Sequence, residues 1–230
     1  MRILLLLFLT CGNAPATGAQ VSTTGSDYSS SKRMIPMGSL PPVETNEDIQ
    51  AKFLKQEWSP GLVSFKNSNQ QMRVPLLFDV YSNKLYFLQE NQIMEFLEPV
   101  SEFTLTLLRK GDSSRVTFRS FFPSIQKNTP ETFYEVLVDG KIQLLKCKAK
   151  TIYLYKDQDI PEEERRYNKE LLYAFLPGDK IVAIKRHKEN LLMQLPDFAA
   201  AIQSILEPKK IKLKSEESLK QLFRLLNEAN

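Results

Sequence analysis

The sequence predicts an α+β fold: an antiparallel β-meander, forming a curled sheet or barrel-like structure, with two or three C-terminal helices packed on it. From Trp58 onward apolar and polar residues alternate with a period of two, which is typical of half-buried antiparallel strands. Turn signals recur at short intervals, so successive strands are joined by short loops. After about residue 188 the apolar spacing changes to three and four, which indicates helices. We therefore expect residues 46–230 to form a single domain whose helical part spans about 188–230.

The strands follow from the alternation and from the turns between them. Phe103, Leu105 and Leu107 fall on one face of a strand, for example. The pair Asp139-Gly140 predicts a hairpin with a two-residue type I′ turn, because its twist matches that of the flanking strands. Ten strands in one open sheet would leave long edges, so we expect the sheet to curl into a barrel or a two-layer arrangement. The predicted strands are 61–66, 72–81, 84–89, 92–97, 100–109, 115–122, 132–138, 141–155, 170–176 and 181–186.

The C-terminal region predicts helices separated by a proline. Pro196 divides a short helix from a longer one at 197–206, since proline cannot continue a helix. Ser215 is placed to cap a last helix. A helix of this length is marginal alone in water, so its apolar stripe must dock, and the sheet is the economical surface; a helix-binding partner is the alternative. The stripe consists of Leu219, Leu222, Phe223 and Leu226.

Between these helices, the segment 209–214 alternates lysines with Ile211 and Leu213. On an edge strand the lysines would point outward and discourage edge-to-edge aggregation. The alternative is that the lysines bind an anionic surface such as lipid headgroups.

The N-terminus predicts export. Arg2 precedes a seven-residue apolar run, and small residues ending at Ala19 follow, so residues 1–19 have the parts of a signal peptide. The run is too short to span a bilayer, and no later run is longer, so no transmembrane span remains after cleavage. Lipidation of Cys11 is the competing interpretation. Residues 20–45 are rich in Ser, Thr and Pro and predict a flexible tether. We expect a periplasmic or secreted protein, with association with the outer membrane as a further alternative.

Composition excludes several classes of protein. With 42% hydrophobic residues the chain can build an ordinary core. A net charge of +4 is mild for a nucleic-acid binder, and export disfavours nucleic acid further. Two cysteines, Cys11 and Cys147, cannot form an intramolecular disulfide once the first is cleaved off or lipidated. We expect Cys147 to be a buried, unreactive thiol.

The sequence offers no identifiable catalytic residue, metal ligand or cofactor, and it does not indicate which residues bind a ligand. His187 is the single histidine, which excludes a two-histidine zinc site, and no nucleophile elbow accompanies it. The acidic run 157–164 lacks the glycine and the spacing of a calcium-binding loop, so we expect a solvated loop between strands. A carboxylate pair of the hydrolase type is not identifiable from sequence.

Three stretches carry a resemblance: 74–87, 99–103 and 133–141. Together with Trp58, Gly61 and the helical C-terminus they resemble a group of exported β-rich proteins of unknown function from Gram-negative bacteria. The resemblance implies an envelope location and a β-rich domain with C-terminal helices.

The functional expectation is an exported cell-envelope protein that binds or scaffolds a partner without catalysis. The first alternative is a small-ligand binder that takes a glycan or lipid at the mouth of a barrel, where Trp58, Tyr81, Tyr86 and Tyr134 would stack on it. The second alternative is a hydrolase that depends on two carboxylates. Enzymatic activity is left open, with a binding role favoured.

Overall fold

The computed structural model describes residues 32–34, 53–109, 112–157, 160–209 and 211–229. For residues 32–34, 108, 109, 112, 149–168 and 209 it describes the backbone alone. Within the described residues eleven strands form one antiparallel sheet and three α-helices follow, which confirms the α+β prediction. The strands are β1 (Lys32–Met34), β2 (Ser59–Phe65), β3 (Gln71–Asp79), β4 (Lys84–Gln89), β5 (Gln92–Phe96), β6 (Val100–Arg109), β7 (Asp112–Arg119), β8 (Tyr134–Val138), β9 (Gln143–Asp157), β10 (Ile160–Leu176) and β11 (Lys180–Ile184).

The sheet grows in two directions from β2, which lies between β3 and β6. On one side β3, β4 and β5 follow in order, and β1 pairs with the outer edge of β5. On the other side β6 to β11 pair sequentially, as the predicted meander requires. The sheet is open, with β1 and β11 at its ends. Strand β1 lies inside the segment predicted as a tether, whose other residues lie outside the described part of the chain.

The part of the sheet from β2 to β6 must fold over itself. Strands β5 and β6 are four positions apart in the antiparallel order and therefore run in the same direction. In a flat sheet, the end of β5 and the start of β6 would lie at opposite ends and about 19 Å apart sideways. Yet Phe96 and Val100 are joined by three residues, a span of at most about 14 Å. The rings of Phe65, at the end of β2, and Phe96, at the end of β5, accordingly lie 5.7 Å apart.

This fold-over encloses an aromatic core. Phe103 and Phe118 stack with their centroids 4.9 Å apart, and Phe78 packs edge-on against Phe103 at 5.2 Å. Gly61 in β2 permits the close approach of its neighbours: a Cβ there would lie 2.3 Å from the Leu76 side chain and 2.7 Å from the Thr104 carbonyl oxygen. Gly61 is one of the residues that carry the resemblance, and sterics require a glycine at this position.

The second half of the sheet, β8 to β11, is covered on both faces. The helices cover one face: α1 (Lys188–Gln194), α2 (Ala199–Lys209) and α3 (Glu216–Ala229), with a 3-10 turn at Pro196–Phe198 between the first two. The irregular segment 120–133 covers the other face, where Phe122 packs against Tyr134 and Phe175. Alternate residues of each strand therefore contribute to two different cores.

The helical predictions are confirmed. Pro196 separates α1 from the later helices, and the Ser215 hydroxyl accepts a hydrogen bond from the Ser218 backbone N–H at 3.1 Å, the geometry of an N-cap. All four residues of the predicted stripe on α3 are fully buried against the sheet and the other helices. None of the helices in the described ranges is long and apolar enough to cross a membrane.

The turn prediction at Asp139-Gly140 is wrong in its type, although the hairpin itself is present. Strand pairing stops at Val138 and Leu144, so the loop has five residues, and of the pair only Gly140 has a positive φ, 145°. Asp139 is instead held by Arg119, with two nitrogen–oxygen contacts of 3.0 and 3.1 Å. By contrast, Glu90 and Asn91 both have positive φ and form a two-residue loop of the type I′ kind.

Two further predictions are wrong. The acidic run 157–164 is not wholly a loop, because β10 begins at Ile160 and pairs with β9 in an almost unbroken register down to Phe175. The long partner strand β9 offers backbone groups along its whole length, and pairing satisfies them. The segment 209–214 is not a strand, because α2 runs to Lys209 and the chain must turn into α3 at Glu216. Leu213 is nevertheless buried and Lys212 exposed, as the alternation predicted.

Candidate functional site

A cavity of about 360 Å³ lies at the seam where the end of β5 meets the start of β6. Its volume falls in the range of small-molecule sites. Three segments that are distant in sequence build it: the β3–β4 turn, the β5–β6 connection and the loop 120–133. We call it the seam cavity; its lining is Ser82, Asn83, Lys84, Leu85, Glu95, Phe96, Leu97, Glu98, Pro99, Val100, Phe121, Glu131 and Phe133.

Asn83 joins two of these segments. It occupies the left-handed region with φ 57°, which asparagine tolerates better than most residues. Its side-chain amide donates to the Glu131 carbonyl at 2.9 Å, and its side-chain oxygen accepts from the Phe133 backbone N–H at 2.9 Å. Both hydrogen bonds span about fifty residues of sequence and hold the loop 120–133 over the cavity.

The connection between β5 and β6 is anchored from the other side. The Lys66 backbone N–H donates to the Pro99 carbonyl at 2.9 Å, and the Ser101 hydroxyl donates to the Ser64 carbonyl at 3.1 Å. The Ser120 hydroxyl donates to the Val100 carbonyl at 2.7 Å and so ties the start of the loop 120–133 to the same strand end. The three walls are therefore fixed relative to one another, and the cavity is preformed.

Phe121 carries backbone strain at the cavity. Its φ is 63°, a region that costs a bulky residue about 1–2 kcal/mol. The Lys66 ammonium lies 4.0 Å from the centroid of its ring, within the range of a cation–π contact. Non-glycine residues with such a positive φ often cluster at ligand sites. There the strained backbone holds a side chain in a position that a relaxed backbone would not allow.

Acidic residues outnumber basic ones in the lining. The Lys84 ammonium pairs with Glu95 at 3.2 Å. Within the described part of the chain, Glu98 and Glu131 have no cation within ion-pair distance, although both line the cavity. Three glutamates and one lysine are the charged residues of the lining, so the cavity combines the apolar side chains of Phe96, Phe121 and Phe133 with a net negative charge. This combination complements a ligand that has an apolar body and a positive charge.

A second polar cluster lies under the loop 120–133. The Asn128 amide donates to the Tyr134 hydroxyl at 2.9 Å and to the Tyr173 hydroxyl at 3.3 Å. Burial raises the pKa of Tyr134 to about 12, and burial raises the pKa of the Cys147 thiol to about 11. These groups stay neutral and hold the loop on the sheet. The burial predicted for Cys147 is confirmed.

A third group links the sheet to α3. The Lys146 ammonium, whose side chain is 8% exposed, lies 3.2 Å from Glu135 and 2.9 Å from Glu216. Lys148 also contacts Glu135, at 3.3 Å. Burial by itself lowers the pKa of Lys146, but hydrogen bonding and attraction from Glu216 and Glu135 outweigh it and raise that pKa. The group acts as an electrostatic link between β8, β9 and α3.

The aromatic residues predicted to stack on a ligand are not brought together. Tyr86 and Tyr134 are buried in the interior, Trp58 is half-buried and Tyr81 is exposed, and the seam cavity is lined by none of them. His187 lies exposed immediately before α1, at the strand-to-helix junction that was predicted. No group of three or more His, Cys, Asp or Glu in the described ranges could hold a metal ion. The side chains of 157–164, considered for calcium, lie outside the described residues.

The sequence analysis assigned no binding residue and so missed the seam cavity altogether. Phe121 and Phe133 fell inside the predicted strands 115–122 and 132–138, whereas the observed strands end at Arg119 and begin at Tyr134, so the alternation concealed the irregular loop that lines the cavity. Phenylalanine rarely adopts a positive φ, so the sequence gives no indication that the backbone of Phe121 lies in the left-handed region.

No protein-family model, curated protein or solved structure matches the chain. The resemblance to exported proteins of Gram-negative bacteria therefore stays a prediction.

Proposed function

We propose that this protein is an exported binding protein of the cell envelope and that the seam cavity holds its ligand, a small organic cation with an apolar body. The observation that carries the proposal is the lining itself: Glu98 and Glu131, unpaired within the described residues, face the same preformed cavity as Phe121 and Phe133. Its rigid walls reduce the entropy lost on binding. The glycan alternative has less support, because the tyrosines and the tryptophan considered for stacking lie elsewhere.

The test of ligand class uses two probes matched in size and different in charge, phenethylamine and phenethyl alcohol. We expect phenethylamine at millimolar concentration to raise the midpoint of thermal unfolding by several degrees, since a ligand at 100 times its Kd contributes about 2.7 kcal/mol. Phenethyl alcohol should have a smaller effect. A disaccharide that stabilised the protein while the amine did not would contradict the proposed ligand class.

Variants identify the site. In Glu98→Gln/Glu131→Gln the preference for the amine over the alcohol should disappear. The control Glu57→Gln/Glu228→Gln removes the same charge at two exposed positions outside the cavity lining and should keep the preference. An equal loss in both double variants would show that net charge, and not the cavity, attracts the amine.

Export is tested separately by intact mass of the protein from fractionated native cells. A mass that matches Gln20–Asn230 in the periplasmic or secreted fraction is the expected result. A mass that matches an acylated chain beginning at Cys11 would show that the protein is lipidated at Cys11 and not cleaved after Ala19. An uncut chain in the cytoplasm would contradict export.

A further inference from the structure

A second concave surface, distinct from the seam cavity, lies between the start of α1 and the segment 211–214 that joins α2 to α3. This open groove has a volume of about 560 Å³. Leu206, Ile211 and Leu213 provide its apolar floor, and four basic residues stand on its rim. We call it the basic groove; its rim consists of Arg186, Lys188, Lys212 and Lys214, with His187, Glu189 and Glu207 beside them.

Both carboxylates of the basic groove contact a neighbouring side chain. Glu207 lies 3.3 Å from Lys188, and Glu189 contacts the imidazole of His187. Arg186, Lys212 and Lys214 are exposed, and no carboxylate of the described residues lies within 4 Å of them. Four basic side chains against two carboxylates leave the groove with an excess of positive charge, which creates a local positive potential that attracts anions.

An exposed apolar side chain adjoins these cations. Met193 on α1 is 67% exposed, more than the other large apolar residues of the described chain. It lies four residues after Glu189, so both share one helix face and Met193 stands beside the basic groove. Soluble acidic partners need only the cations, whereas a lipid surface uses the cations for its headgroups and the exposed apolar side chain for its acyl boundary.

We propose that the basic groove docks on an anionic lipid surface, with Arg186, Lys212 and Lys214 at the headgroup phosphates and Met193 inserted among the chains. This interaction does not depend on the ligand of the seam cavity. In the exported protein it would hold the seam cavity near a membrane.

The test is sedimentation of the full chain with vesicles of phosphatidylcholine alone or with 30% phosphatidylglycerol, in 0.1 M NaCl. The apolar run at residues 3–9 contributes to both vesicle types, so the difference between them isolates the charge effect. We expect at least tenfold stronger binding to the anionic vesicles, roughly what two or three basic residues near a charged surface supply. Equal binding to both vesicle types would overturn the proposal.

Two pairs of substitutions locate the surface. Lys212→Gln/Lys214→Gln should reduce the binding to anionic vesicles by about tenfold or more. The control Lys127→Gln/Lys180→Gln removes two exposed lysines outside the groove and should change the binding less than twofold. If both double variants lost vesicle binding equally, the net charge of the protein would explain the binding, and the assignment to the basic groove would be overturned.

Met193→Ser separates a lipid surface from a soluble acidic partner. It should weaken binding to anionic vesicles severalfold without changing how steeply binding falls with salt. If Met193→Ser had no effect and a polyglutamate peptide displaced the protein from vesicles at constant ionic strength, the groove would be a site for acidic peptides and the lipid proposal would be wrong.

Discussion

The side chain of Asn227 hydrogen-bonds both backbone groups of Ile142, 85 residues earlier in the chain. Its oxygen accepts from the Ile142 N–H at 2.8 Å, and its amide donates to the Ile142 carbonyl at 2.9 Å. Gly140 lies against the same side chain, since a Cβ there would come within 2.8 Å of the Asn227 amide. The last turn of α3 is thus fastened to the β8–β9 loop, and this contact explains why the loop departs from the tight turn predicted for Asp139-Gly140.

Replacement of Asn227 by alanine should lower the free energy of unfolding by about 1–3 kcal/mol, because it leaves part-buried backbone groups of Ile142 without partners. Urea denaturation measures the change. The control is Asn69→Ala at an exposed position, which should stay within about 0.5 kcal/mol. Equal effects of the two substitutions would contradict the fastening role of Asn227.

Lys146→Met should lower the free energy of unfolding by about 3 kcal/mol, because Glu135 and Glu216 lose the ammonium that lies between them. Adding Glu135→Leu should restore part of the loss, since the more buried of the two carboxylates is then removed. Lys220→Met is the matched control: it removes another lysine 2.9 Å from Glu216, but one that is 22% exposed. Its effect should be below about 1 kcal/mol, and a larger effect than that of Lys146→Met would contradict the buried link.

Most of the strand pattern could be predicted from sequence because alternation reports directly which face of a strand is buried. The alternation at Phe103 and Leu105 and the stripe on α3 are examples, with all these side chains buried. The position of β6 beside β2 could not be predicted, because it depends on how the sheet folds over and not on local pattern. The seam cavity results from that fold-over. Its lining residues come from distant segments, so no local sequence pattern connects them.

Stability should fall in acid through two paired carboxylates. Hydrogen bonding to Arg119 holds the pKa of Asp139 below its usual 3.8. Burial raises the pKa of Glu216, but Lys146 and Lys220 outweigh it and hold that pKa below 4.5. Since the unfolded chain then takes up protons at higher pH than the folded one, this stabilisation is complete above about pH 5 and is lost as the pH falls towards 3. Urea unfolding of the wild type at pH 7, 5, 4 and 3 should follow this course.

Asp139→Asn tests the contribution of the Arg119 pair. The variant should be less stable than the wild type at pH 7 and should lose less stability on acidification, because one of the two titrating groups is absent. An unchanged loss between pH 5 and pH 3 would exclude Asp139 from the acid response.

Cys147 should be unreactive in the folded protein, because it is 5% exposed and burial raises the pKa of its thiol to about 11. In the full chain with Cys11→Ser, Cys147 is the remaining thiol. Ellman's reagent at pH 8 should then give no reaction within minutes in buffer and one thiol per chain in urea. Rapid reaction in buffer would contradict the packing of the loop 120–133 on β9.

Methyl-resolved NMR with phenethylamine as the titrant tests the central claim, that the seam cavity binds a small apolar cation. Leu85, Leu97 and Val100 line the cavity, whereas Leu206 and Leu213 line the basic groove. The account predicts saturable shifts of the first three methyl-bearing residues, unchanged signals from the other two, and loss of the shifts in Glu98→Gln/Glu131→Gln. Shifts confined to residues outside the cavity, or no saturable shift at millimolar amine, would contradict it.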